Sequence, residues 1–141
     1  MLFKEHESKC KKNAKTIVCS EKKKRYVAHN NNNHNVYQYQ IDGDIISSTD
    51  TRNRCDYLLE DETTKCAYLI ELKGRHLLHA LEQIESTIND YYSLFKNQEY
   101  TILPRIVYGS NTHGIRSHEY IKFKSKYPKA RAETDFMEES L

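Results

Sequence analysis

Apolar and polar positions follow several distinct patterns along this chain, and each pattern predicts a different element. Val36 to Gln40 alternates, as does Asp44 to Ser47, and the tight-turn pair Asp42-Gly43 lies between them. This predicts a first hairpin over residues 36–48. Cys55 to Leu59 and Ala67 to Leu72 are nearly continuous apolar runs joined by the polar stretch Glu60 to Lys65. That is the pattern of a second hairpin whose strands are covered on both faces. Leu77, Leu81, Ile84, Ile88, Tyr91 and Phe95 recur at helical spacing and predict a helix over about residues 76–95 with one apolar stripe. Thr101 to Tyr108 reads as a strand with Ile102, Ile106 and Val107 as core candidates, and Pro104 suggests an edge or a bend. Gly109 to Gly114 reads as a loop. Residues 117–127 fit either a short helix or a strand, with Tyr120, Ile121 and Phe123 interleaved with Lys122, Lys124 and Lys126. Such interleaving suits nucleic-acid contact; a half-buried element with a solvated face is the plainer account.

The length of 141 residues predicts a single folded domain. Residues 1–30 read as a basic N-terminal arm, 31–128 as an α/β domain, and 129–141 as an acidic, mobile tail. The polar run Asn30 to Asn35 separates the arm from the domain. The net charge of +2 hides an asymmetry, since residues 1–30 hold nine Lys or Arg against three Glu. Lys11, Lys12, Lys15, Lys22, Lys23, Lys24 and Arg25 are therefore candidates for phosphate contact, with an ordinary solvated terminus weighed equally. No long apolar run exists to span a membrane, and the N-terminal residues lack a signal peptide's apolar core. A cytoplasmic location without membrane contact is expected. Cys10, Cys19, Cys55 and Cys66 show no paired spacing; Cys55 and Cys66 could face each other near the hairpin, but free thiols are expected.

The chemistry concentrates in the second hairpin. Asp56, Glu71 and Lys73 interrupt apolar runs, and a buried strand carries charges only where something compensates them. Folding the hairpin about Thr63 and Thr64 sets Asp56 opposite Glu71, with their Cβ atoms about 4.5–5.5 Å apart. Glu71 and Lys73 then share that face, and Tyr57, Leu59, Tyr68, Ile70 and Leu72 occupy the other. Two opposed carboxylates repel, and a divalent cation would reverse the sign; magnesium suits carboxylate, water and phosphate oxygens. A slip of one residue would send Asp56 to the other face. A solvated surface pair is the alternative account of Glu71 and Lys73.

Asp56 followed by Glu71-Leu72-Lys73 resembles the PD-(D/E)XK nuclease superfamily, which includes restriction endonucleases, Holliday-junction resolvases and RecB-type exonuclease domains. The resemblance extends over roughly residues 36–108, with Cys55 where the name-giving Pro would stand. It implies an α/β fold, a central mixed β-sheet with flanking helices and a restriction-endonuclease-like core. It further implies that Asp56, Glu71 and the Leu72 carbonyl hold Mg2+ or Mn2+, and that Lys73 positions the attacking water. RecB-type members carry a Gln on the following helix, matched by Gln83, which the resemblance implies assists catalysis; their Tyr four positions on is Thr87 here. The expected function is divalent-metal-dependent hydrolysis of phosphodiester bonds, in DNA ahead of RNA. The alternative is a non-catalytic nucleic-acid-binding or protein-interaction module on the same fold. Small single-domain members are often dimers, so a homodimer is a further expectation.

Overall fold

The computed structural model describes residues 1–74, 76–109 and 117–141, and only the backbone of Lys73 and Gly74. In chain order the elements are β1 (Thr16–Glu21), β2 (Lys24–His29), β3 (Val36–Gln40), the short β4 (Asp42–Gly43) and β5 (Ile46–Ser47), β6 (Tyr57–Asp61), β7 (Cys66–Gly74), α1 (Leu77–Asn97), β8 (Thr101–Tyr108), α2 (His118–Lys126), β9 (Arg131–Thr134) and β10 (Phe136–Ser140). The result is a mixed α/β fold. Its central sheet has five strands in the order β3-β6-β7-β8-β9. β3, β6 and β7 are antiparallel neighbours, and β8 and β9 continue parallel to β7.

The parallel half explains where the helices go. Each parallel connection needs a crossover, which α1 supplies from β7 to β8 and α2 from β8 to β9. The strand order advances one way through both steps, so two crossovers of the usual hand put both helices on one face. The cores agree. Leu58, Ala67, Leu69 and Ile106 pack with Leu77, Leu81, Ile84 and Ile88 of α1 and Phe123 of α2. Leu59, Tyr68, Ile70, Leu72, Leu103 and Val107 form a second core on the opposite face. A three-stranded sheet, β1-β2-β10, covers that face and adds Ile17, Cys19, Tyr26, Ala28 and Met137. The layers are therefore helices, central sheet and small sheet, with the helices confined to one side.

Several expectations are corrected here. The expected hairpin over residues 36–48 does not form: β3 pairs with β6, and Asp42–Gly43 pairs in parallel with Ile46–Ser47. The reason is burial, because Val36 to Tyr39 is buried on both faces and a locally paired hairpin would leave one face open. The expected arm, residues 1–30, supplies β1 and β2, and Leu2 and Phe3 are buried in the helix-side core. The expected mobile tail, residues 129–141, supplies β9 and β10. Asn30 is buried; its side chain donates to the carbonyls of Ala14 and His34 and accepts from the His34 amide. The Asn-rich stretch is thus a hydrogen-bonded turn between layers. Pro104 is not in an edge strand, but β9 begins to pair only at Arg105, so the missing N–H falls just outside that ladder.

One buried ion pair ties the chain's end to the sheet. Arg105 on β8 donates to both oxygens of Glu139 on β10 (2.7 and 3.2 Å) and to the carbonyl of Lys129. The Tyr26 hydroxyl donates to the same carboxylate at 2.6 Å, and Arg131 reaches it at 3.2 Å. Burial alone would raise the Glu139 pKa, but the hydrogen bonds from Arg105 and Tyr26 and both arginine charges outweigh it and hold the pKa below 4.5. A depressed folded pKa contributes stability above the unfolded value, and that stability is lost as pH falls through the folded one. Glu139→Ala is predicted to cost on the order of 3–5 kcal/mol, because it leaves Arg105 buried without its carboxylate. Glu139→Gln should flatten the loss of stability below about pH 5. Denaturant melts across pH check both; a wild-type acid limb unchanged by Glu139→Gln would contradict the assignment.

Candidate functional site

The β6–β7 hairpin has the register expected from its sequence. Tyr57 pairs with Ile70, Leu58 with Leu69, and Leu59 with Tyr68, so Asp56 comes beside Glu71 one step past the ladder. Both residues are buried, Asp56 at 2% and Glu71 at 1% exposure. Asp56 Oδ2 accepts from the Leu72 amide at 2.8 Å, and Glu71 Oε1 accepts from the same amide at 3.1 Å. Two carboxylates therefore converge on one backbone donor at the end of two buried strands. They share the helix-side face, since Leu72 and Ile70 between and beside them pack into the opposite core.

The backbone around Asp56 is fixed from three directions. Its N–H donates to the Ile70 carbonyl at 3.1 Å. Its carbonyl accepts from the amides of Ile41 (2.8 Å) and Asp42 (3.3 Å). The two preceding residues are held by α1: the Arg54 amide donates to Gln83 Oε1 at 3.0 Å and the Cys55 amide to Thr87 Oγ1 at 2.9 Å. Thr87 is itself locked by donating to the Gln83 carbonyl at 3.0 Å. Gln83 and Thr87 stand one helical turn apart, so one polar stripe on α1 catches consecutive amides of an extended segment. The Arg54 guanidinium completes the support. It donates to Asp42 Oδ1 at 2.9 Å and to the carbonyls of Asp50 and Arg52.

On the other side, the β7–β8 ladder shifts register between Glu71 and Gly74. Such irregularities re-aim side chains and are common beside active sites. Lys73 lies on this stretch of β7; its side chain lies outside the described residues, as do Arg75 and most of the expected loop Gly109 to Gly114. The side-chain oxygen of Gln83 serves the Arg54 backbone, two residues before Asp56. Sequence reasoning missed Arg54, and placed Thr87 on a polar stripe with His76, His79 and Gln83 without giving it a role. The polar stripe of α1 was the signal for Thr87; Arg54 gave none, because its partners are backbone carbonyls and a distant Asp.

The four cysteines are free thiols. Cys66 pairs with Asp61 near the turn and Cys55 precedes Asp56 at the other end of the hairpin, so they do not face each other. Burial pushes the Cys55 thiol well up, and Cys19 up to about 12. His76, just before α1, and His79, on it, are exposed, with His79 at 3.9 Å from Glu82. Lys11, Lys12, Lys15, Lys22 and Lys23 are exposed, Lys24 reaches Asp135 at 4.0 Å, and Arg25 is exposed on β2. The Tyr57 hydroxyl donates to the Ser20 carbonyl at 3.5 Å, which brings the β1–β2 turn to the same end of the central sheet as Asp56.

The donor set suits a hard cation. Two carboxylates plus waters and substrate oxygens are the usual protein share of a magnesium site. Among the described residues, no group of three or more Asp, Glu, His or Cys forms a metal cage. No protein-family model, curated protein or solved structure matches the chain, and the functional reading therefore rests on this geometry.

Shared use of one amide by two carboxylates makes a prediction. Without divalent metal, Glu71→Gln removes one of two like charges and keeps the shape. It should leave the melting temperature equal to wild type or raise it, with a gain on the order of 1 kcal/mol. A strongly destabilised Glu71→Gln protein in EDTA would show Glu71 to be a structural ion-pair partner instead.

Proposed function

We propose that this protein is a divalent-metal-dependent nuclease that hydrolyses phosphodiester bonds, with DNA as its substrate. The observation that carries the reading is the pair of buried carboxylates, Asp56 and Glu71, converging on the Leu72 amide at the open end of the β6–β7 hairpin. Burying two acids side by side is costly, and a bound cation accounts for that cost. The succession of three antiparallel strands, a helix and a parallel strand supports a restriction-endonuclease-like core for the domain.

The roles follow from position. Asp56 and Glu71 hold Mg2+ or Mn2+. The Leu72 carbonyl, next along β7 after Glu71, would be their third protein ligand. A bound magnesium would polarise a phosphoryl oxygen and acidify a coordinated water. Lys73, assigned by its spacing from Glu71, positions that water and offsets the charge that grows on phosphorus. Gln83 and Thr87 are positioning residues that hold Arg54 and Cys55 and so aim Asp56. Lys22, Lys23, Lys24 and Arg25 approach the same sheet end and suit the phosphates of the substrate, with Lys11, Lys12 and Lys15 adding nonspecific attraction.

The test is incubation of the full chain with duplex, branched and single-stranded DNA in magnesium, manganese or EDTA. Cleavage should require the metal. Asp56→Ala, Glu71→Ala and Lys73→Ala should each reduce the rate by at least about a hundredfold, as for loss of a charge-stabilising group. Gln83→Ala should reduce it less. Full activity in Glu71→Ala would sink the assignment, and a wild type inert on every DNA would favour the non-catalytic binding module.

A further inference from the structure

The outer face of the β1-β2-β10 sheet carries a feature that the carboxylate site does not use. Phe136 opens β10 and is 44% exposed, although it belongs to a strand whose next residue, Met137, is fully buried. It pairs with Arg25 on β2, which pairs with Ser20 on β1. Tyr26 and Met137 point into the core, so Arg25 and Phe136 share the outer face. The β1–β2 turn beside them carries Lys22, in the left-handed region at φ 54°, and Lys23. Acids are present nearby as well, and each has a partner, Glu21 beside the turn among them. Asp135 faces Lys24 at 4.0 Å, and Glu138 meets His29 at 3.0 Å. Lys22, Lys23 and Arg25 make no ion pair with another described residue. An exposed aromatic ring thus lies on a sheet face among three exposed cations.

We propose that this face binds a single-stranded nucleic acid, with Phe136 stacking on one base while Arg25, Lys22 and Lys23 hold the flanking phosphates. Single-strand binders combine these two elements: cations follow the backbone, and an aromatic ring takes any base because every base has a π-face. A duplex hides its base faces, so the ring selects unpaired strand. The hydrogen bonds from the Arg25 amide to Asp135 and from the Asp135 amide to Tyr108 tie this platform to the end of β8 beside β7. The inference rests on the nucleic-acid part of the proposed function and not on cleavage.

The chain contains no tryptophan, which provides a direct probe. Phe136→Trp in the full chain, in EDTA, is titrated with an oligothymidylate of about 12 nucleotides and, separately, with inorganic polyphosphate. The expected result is saturable quenching of the indole by the oligonucleotide and none by polyphosphate, which has the charge but no bases. In anisotropy titrations of the labelled oligonucleotide, Phe136→Ala should bind about tenfold more weakly, and Phe136→Tyr should bind like wild type. Lys22→Glu with Lys23→Glu should weaken binding and flatten its salt dependence. Unquenched indole fluorescence in Phe136→Trp while the oligonucleotide is bound, or wild-type affinity in Phe136→Ala, would overturn the proposal. So would absence of binding. Because metal is absent throughout, these results are independent of whether the carboxylates cleave.

Discussion

The register of the β6–β7 hairpin is the constraint on which the candidate site depends. A shift of one residue would send Asp56 to the opposite face and separate the two carboxylates. In most sheets the apolar pattern forbids such a slip, but here both faces of the hairpin are buried: Leu58 and Leu69 on one side, Leu59, Tyr68 and Ile70 on the other. Hydrophobicity alone does not distinguish the registers, so the polar ends must. At the turn, Asp61 is buried and accepts from the amides of Thr63 and Thr64 at 3.1 and 3.2 Å, while His34 binds its other oxygen at 2.7 Å. At the open end, Asp56 caps Leu72, and its own amide and carbonyl are taken by Ile70, Ile41 and Asp42. Asp56 is thus also a pin that aligns the strands at their open end.

Burial of that hairpin in turn depends on the chain's two ends. The small sheet is made from β1, β2 and β10, and without it Ile70 and Leu72 would face water. β10 is held by the Arg105–Glu139 pair, which joins the parallel half of the central sheet, the last strand and, through Tyr26, the first hairpin. The pair is buried, so its desolvation cost is offset only while both partners and the Tyr26 hydroxyl stay in place.

How much was legible in the sequence varied with the range of the interaction. The β6–β7 hairpin and α1 could be read because their signals are local: two apolar runs about a short polar turn, and an unbroken stripe from Leu77 to Phe95; the register itself followed only from assuming a turn centred on Thr63 and Thr64. The strand partner of Val36 to Gln40 could not, because the nearby Asp42-Gly43 turn suggested a local hairpin while burial on both faces favoured β6. The terminal strands were hidden by their charge. Lys24 and Arg25 on β2, and Glu138 and Glu139 on β10, read as solvated tails, yet Glu139 is the buried partner of Arg105, and Tyr26 meets it from 113 positions away. At the site, Asp56 and Glu71 were legible as charges inside apolar runs. The polar stripe of α1 hinted at Thr87, but its partner, the Cys55 amide, and the support from Arg54 were hidden, since they run through backbone groups that composition does not reveal.

Direct binding of Mn2+ to the full chain is the measurement that bears most closely on the account, because Asp56 and Glu71 are asked first of all to share a cation. Electron paramagnetic resonance of free manganese, titrated with wild type and with Asp56→Asn and Glu71→Gln, reads the site without any substrate. The account predicts saturable uptake by wild type, competition by magnesium, and loss of that uptake in both variants. Manganese that stays free in the presence of wild type, or binds equally well to both variants, would contradict it.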